Sequence, residues 1–219
     1  MQLKIEGKPA FAYIDVWLEP GETIVAESDA MATMDTKIDM VAKLNGGFFG
    51  GLLRKYLGGE SLFINHFTNK GQVPARITLV QATPGDIQEK VLNNQTYCLQ
   101  PGAYIASSTG VQMSLKWAGI YSWIGGEGLF KIMVSGTGSV LLGAYGGLIE
   151  KQIEGEYIVD TSHLVAYEPQ MKLKTQLAAG IFASFFSGEG FVTRINGTGK
   201  VVLQTRSMSG LKGWLNRHL

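Results

Sequence analysis

A single cysteine among 219 residues, Cys98, excludes an intramolecular disulfide framework. Three histidines, His66, His163 and His218, show no paired spacing with it, so neither a structural zinc site nor a cupin-like metal site has a ligand set. Nineteen basic against eighteen acidic residues leave a net charge of +1, which removes the global field that would draw nucleic acid. No apolar run is long enough to cross a bilayer. The most apolar tract, Leu177 to Phe186, falls well short of the roughly 20 residues required, and the stretch from Phe48 to Phe63 is interrupted by Arg54, Lys55 and Glu60. Met1 to Pro9 lacks the basic segment and apolar run of a secretory signal, which predicts a cytoplasmic location. No Ser stands in a Gly-x-Ser-x-Gly elbow, and Gly125-Gly126-Glu127-Gly128 lacks the Lys-Ser/Thr that completes a phosphate loop.

What the chain does contain is one phrase used three times. Gly59-Glu60-Ser61-Leu62-Phe63, Gly126-Glu127-Gly128-Leu129-Phe130 and Gly188-Glu189-Gly190-Phe191 each open an apolar stretch. The stretches run into Thr68-Asn69-Lys70-Gly71, Ser135-Gly136-Thr137-Gly138 and Asn196-Gly197-Thr198-Gly199, then into second apolar runs near Val73, Val140 and Val201. Read as turn chemistry, this predicts a β-hairpin repeated in register. A second phrase lies upstream: Pro20-Gly21-Glu22-Thr23-Ile24, Pro101-Gly102-Ala103-Tyr104-Ile105 and Glu154-Gly155-Glu156-Tyr157-Ile158. Each predicts the opening of a further strand pair, with tight turns at Ser28-Asp29, Thr109-Gly110 and Ser162-His163. From Gly21 to Glu60, Gly102 to Glu127 and Gly155 to Glu189 the spacing is 39, 25 and 34 residues, so the variable part is an insert in the middle.

The inserts have a period of their own. Positions three, four and seven before each Glu are apolar (Leu57, Tyr56, Leu53; Ile124, Trp123, Ile120; Phe186, Phe185, Phe182), which predicts short amphipathic helices. In the first, Phe48, Phe49, Leu52 and Leu53 share the stripe while Arg54 and Lys55 lie opposite. Such a face suits a membrane interface or a partner protein, and equally the cover of its own sheet or a subunit contact. Glu60, Glu127 and Glu189 are the sharpest candidates for chemistry, because a pseudo-threefold arrangement would gather three carboxylates around a cation. Without a metal such a triad repels itself, whereas a carboxylate beside glycines at a strand entry locks its turn by accepting backbone N–H bonds. The structural role is the expected one. Cys98, in Tyr97-Cys98-Leu99, reads as a strand residue with an inert thiol, and His163 as a turn residue. No catalytic residue, cofactor or metal ligand is assigned.

The ordered set Pro20-Gly21-Glu22, Phe48-Phe49-Gly50-Gly51, Gly58-Gly59-Glu60-Ser61-Leu62-Phe63, Gly126-Glu127-Gly128-Leu129-Phe130 and Leu203-Gln204-Thr205-Arg206 resembles the altered inheritance of mitochondria protein 24 family, over almost the whole chain. The resemblance implies a mainly β fold similar to that of the Trp RNA-binding attenuation protein, a double-stranded β-helix-like arrangement triplicated in one chain. Mitochondrial members are implicated in inner-membrane organisation, but this sequence lacks an Arg-rich, acid-poor presequence. RNA binding would need a basic stripe interleaved with aromatics, and the Lys and Arg residues are scattered instead. The expectation is one compact body of three repeats, about 1–83, 84–145 and 146–207, with short helical inserts and a tail at 208–219. Its expected function is non-enzymatic binding or scaffolding through protein–protein contacts, as a homo-oligomer with a trimer favoured. The alternatives are a peripheral membrane protein, at the inner face of the membrane, anchored near Phe48–Leu57, and, more weakly, a small-molecule or metal site between repeats.

Overall fold

The computed structural model describes residues 1–44, 63–117, 130–177 and 191–218. These residues are mainly β and antiparallel. The first strands are β1 (Gln2–Glu6), β2 (Tyr13–Leu18), β3 (Thr23–Glu27), β4 (Met31–Met34), β5 (Ile38–Leu44), β6 (Phe63–Asn69) and β7 (Ala75–Val80). Then come β8 (Ile87–Leu99), β9 (Tyr104–Ser108), β10 (Val111–Trp117) and β11 (Phe130–Gly143). The last are β12 (Leu148–Asp160), β13 (Leu164–Tyr167), β14 (Lys172–Leu177) and β15 (Phe191–Gln204), followed by helix α1 (Met208–His218).

A four-stranded sheet has the order β1-β2-β7-β4. An eleven-stranded sheet runs β12-β15-β13-β8-β11-β9-β3-β6-β5, with β10 on β11 and β14 on β15. Period-two alternation explains the burial: Ile14, Val16 and Leu18 of β2 point inward opposite Leu79, Ile77 and Ala75 of β7, and all six are buried. Buried side chains gather in three clusters, around Ile14, Ile24, Phe67 and Leu79, around Leu92, Leu99, Tyr104 and Leu142, and around Cys98, Ile153, Ile195 and Val201.

The Gly-rich clusters are not hairpin turns. Ser135-Gly136-Thr137-Gly138 lies inside β11 and Asn196-Gly197-Thr198-Gly199 inside β15, strands of 14 residues each. Along one flank β11 pairs with β8 from Ile132 to Gly143; along the other it pairs first with β10, through Gly136, and then with β9, from Val140. β15 likewise keeps β12 on one flank and changes from β14 to β13 on the other. The glycines serve the bend between the two partners: Gly136, Gly138 and Gly197 have φ of 118°, 138° and 135°, and the β8–β11 register shifts between Gly136 and Thr137. Only at Lys70–Pro74 does the chain break, β6 lying in the large sheet and β7 in the small one. Glu154–Ile158 is also not a strand opening, since it falls in the middle of β12.

Candidate functional site

Glu60, Glu127 and Glu189 all lie outside the described residues, as do Phe48, Phe49, Leu52, Leu53, Arg54 and Lys55 and the predicted insert helices. The strands that launch the inserts are described. Leu44 pairs with Phe63, Trp117 with Phe130 and Leu177 with Phe191. Each insert therefore leaves and returns at a directly opposed pair of strand ends, closing a hairpin.

His66 lies on β6, half-buried, and burial followed by the nearby Lys43 charge holds its imidazole below the ordinary histidine range. His163 ends a single 3₁₀ turn, where its Nδ1 lies 2.7 Å from the Gln204 carbonyl. His218 closes α1 with Nδ1 2.8 Å from the Trp214 carbonyl and its ring stacked on the indole, centroids 4.6 Å apart. The three histidines thus occupy three separate elements. Cys98 is buried in β8, within the third core cluster. Among the described residues no three His, Cys, Asp or Glu side chains converge as a metal site, and no helix is long and apolar enough to cross a membrane.

Two polar networks escaped the sequence reading. In the first, Glu150 of β12 accepts from Lys200 Nζ at 2.7 Å and faces Lys90 Nζ at 3.6 Å, so the two ammonium groups hold its carboxyl below the usual range. Lys90 also lies over the Tyr97 ring, 4.6 Å from its centroid, and the Tyr97 hydroxyl donates to Glu168 at 3.4 Å. In the second, the buried Tyr104 hydroxyl lies 3.2 Å from the Val25 carbonyl and 2.9 Å from Ser107 Oγ, and burial raises its pKa. The contacts of Glu150 with Lys200 and Lys90, of Tyr97 with Glu168 and of Tyr104 with Val25 join residues 50 or more positions apart, and no local motif announces such pairs. They bind strand to strand and leave no acid or base aimed at a cavity. A shallow depression of about 250 Å³ between Lys37, Asp39, Lys70 and Gly71 is open to solvent.

The surface has a different character at the sheet edges and at the C-terminus. Ile149 and Ile158 of β12, Met34 of β4 and Met40 and Val41 of β5 are exposed on strands that end a sheet. The tail at 208–219 forms α1 over Met208–His218, with Met208, Trp214 and Leu215 exposed.

Residues 3–206 match the family described as Mitochondrial biogenesis AIM24. The chain belongs to this family. An uncharacterized protein of Streptococcus pyogenes serotype M6 is 26% identical over 228 residues, a span that covers 100% of this chain and 91% of that protein. A crystal structure of a Streptococcus pyogenes protein is also similar, with a TM-score of 0.82 and 27% identity over 100% of this chain and 99% of that one. The AIM24 fold of this chain thus spans the described strands from end to end.

Proposed function

We propose that this AIM24-family chain is a non-enzymatic scaffold: three fused copies of one β unit that assemble with themselves and engage another protein. The observation that carries the reading is a strand-pairing pattern met at three places. β4 on β7, β9 on β11 and β13 on β15 each show a register break one residue after the first pair, at Ala32, Ile105 and Val165. Just before β4 and β9 the amides of Ala30 and Ala103 donate to the carbonyls of Glu27 and Gln100, and at β13 the amide of its first residue, Leu164, donates to that of Thr161. Gly21, Asn94 and Gly155, with φ of 81°, 54° and 87°, precede those turns by a common interval. Matching Asn94, rather than Gly102, to Gly21 also evens the spacings to the repeated Glu to 39, 33 and 34 residues, Glu127 following Asn94 by 33. On this reading Pro101-Gly102 answers to Ser28-Asp29, and Thr109-Gly110 opens the following strand.

A scaffold of this kind offers apolar strand edges and three hairpin-borne inserts to its partners. Light scattering of the purified chain is the test: an oligomer supports the reading, and a monomer at every concentration overturns its self-assembly.

Peripheral membrane attachment is a second reading, favoured by α1, which carries exposed Trp214 and Leu215, Lys212 and Arg217 in its sequence, and no carboxylate. Flotation with anionic liposomes tests it. Loss of flotation in Phe48→Asp and Phe49→Asp assigns the anchor to the first insert, loss in Trp214→Asp assigns it to α1, and no flotation of the unsubstituted chain rejects the reading.

A further inference from the structure

Charge is spread unevenly along the chain. Residues 190–219 hold five of the nineteen Lys and Arg residues and none of the eighteen Asp and Glu, a net charge of +5. The preceding part, with fourteen basic against eighteen acidic residues, carries −4. Two of the five cations are paired, Arg194 with Glu156 and Lys200 with Glu150. Arg206 and Lys212 enter no ion pair among the described residues.

This cationic end is also where an apolar surface is left uncovered. α1 is held at its base and exposed along its length. The Thr205 amide donates to the Gly147 carbonyl at 2.9 Å and the Arg206 amide to the Tyr145 carbonyl at 3.2 Å. Ser207 Oγ then caps the helix by accepting from the Gly210 amide at 3.1 Å. Past the cap, Leu211 is half-buried, whereas Met208, Lys212, Trp214, Leu215 and His218 are exposed. At about 3.6 residues per turn, Met208, Leu211, Trp214 and Leu215 share an arc of about 120°. Trp214 forms one border of the arc, its indole stacked on the His218 ring, and Lys212 stands just past the other. Ser209, Gly213 and Asn216 lie opposite. An indole and an ammonium flanking an apolar arc fit a surface that is hydrocarbon below and phosphate above, the ring settling at the boundary and the lysine reaching up to the anions.

We infer that α1 lies flat in the headgroup layer of a bilayer containing anionic phospholipid, with the Met208–Leu211–Trp214–Leu215 arc inward and Lys212 at the phosphates. The inference rests on the reading of peripheral membrane attachment and names its anchor, α1 rather than the first insert, and its lipid. Charge complementarity selects the lipid: the helix has cations and no carboxylate, while the net negative remainder of the chain is repelled by the same surface. The contact also orients the molecule. β15 begins at Phe191, where the third insert returns, and ends at Gln204, beside α1. The bilayer therefore meets one end of β15 and leaves the insert at the other end to a protein partner.

Flotation of the full-length chain with phosphatidylcholine liposomes, and with phosphatidylcholine–phosphatidylglycerol mixtures, tests the inference. Binding to the mixture should exceed binding to phosphatidylcholine by roughly tenfold or more, and Lys212→Glu should lower it by a similar factor. Leu215→Asp should abolish flotation, and Phe48→Asp and Phe49→Asp should leave it unchanged. Because positions 212 and 215 are exposed, both α1 variants should keep the parent's urea midpoint. Tryptophan emission supplies the second arm: liposomes should shift the parent's spectrum to the blue, and Trp214→Phe should still float without that shift. Flotation that survives Lys212→Glu and Leu215→Asp but is lost in Phe48→Asp or Phe49→Asp overturns α1 as the anchor and leaves membrane attachment standing at the insert. Equal flotation with both liposomes overturns the anionic lipid as partner, and a blue shift retained in Trp214→Phe overturns insertion of the arc. No flotation with either liposome overturns both this inference and the membrane reading.

Discussion

β6 and β7 break apart where β11 and β15 bend. β11 and β15 pass from one short partner strand to the next without interruption, whereas β6 and β7 are separate strands in separate sheets, joined through Lys70–Pro74. The difference lies in what holds the corner. In β11 and β15 the backbone does the bending, through glycines with φ of 118° to 138°. At the first corner a side chain does it. Asn69 is buried; its Nδ2 donates to the carbonyls of Leu18 at 2.8 Å and Val73 at 2.9 Å, and its Oδ1 accepts from the Gly71 amide at 2.8 Å. Its backbone bonds to Gly21 and Glu22 as well, so one residue ties the end of β2, the start of β3 and the new turn together.

Removing that side chain should have the largest effect. Asn69→Leu leaves two carbonyls and one amide without their bonds in a buried setting, and each orphaned group costs about 1–3 kcal/mol. An expected loss of about 3–4 kcal/mol after partial rehydration would be read by urea denaturation. Stability within 0.5 kcal/mol of the parent would show that the corner is held by something else.

The glycine corners rank below it and also differ from one another. A Cβ on Gly136 would stand 2.4 Å from the Gly110 carbonyl oxygen, so Gly136→Ala combines positive-φ strain with a backbone collision and should cost about 2–3 kcal/mol. On Gly197 the nearest atom is the flexible Met171 sulfur at 3.4 Å, leaving strain alone, about 1–2 kcal/mol. Gly155 has open space around its Cβ position and φ of 87°, so its alanine variant should lose about 1 kcal/mol. Equal losses at Gly136 and Gly197 would mean that β11 relaxes at its bend.

The same corners explain how far the sequence could be read. Strand content was legible because apolar periodicity does not depend on distant partners. The bends were misread because a hairpin turn and a strand bulge both recruit glycine for the same reason, a positive φ. Only the strand opposite decides which of the two forms. Pro101-Gly102 is a strong turn signal that reads like Pro20-Gly21; on the proposed three-unit alignment Asn94, with φ of 54°, would take the place of Gly21. Asparagine reaches the left-handed region without glycine's conspicuous signature. The exposed edges carried no local mark at all, since Ile158 and Ile24 are the same residue type in different surroundings. Helix α1 was hidden by Gly210 and Gly213, which lower helix propensity.

The smallest expected effect separates β6 from β11 and β15 by pH. His66 sits on β6, and its imidazole is held below the usual histidine pKa, first by burial and then by Lys43. The unfolded chain therefore binds the proton more readily than the folded one. Stability is fully present above the unfolded value near 6.5 and falls as pH drops through that value toward the lower folded one. β11 and β15 have no histidine, so this acid sensitivity belongs to β6. Between pH 7.5 and 5.5 the urea midpoint should decline in the parent, and His66→Gln should flatten the decline over this range, where carboxylates of ordinary pKa remain ionised. An unchanged slope in His66→Gln would assign the sensitivity to other groups and remove the pH distinction between the broken strand and the bent ones.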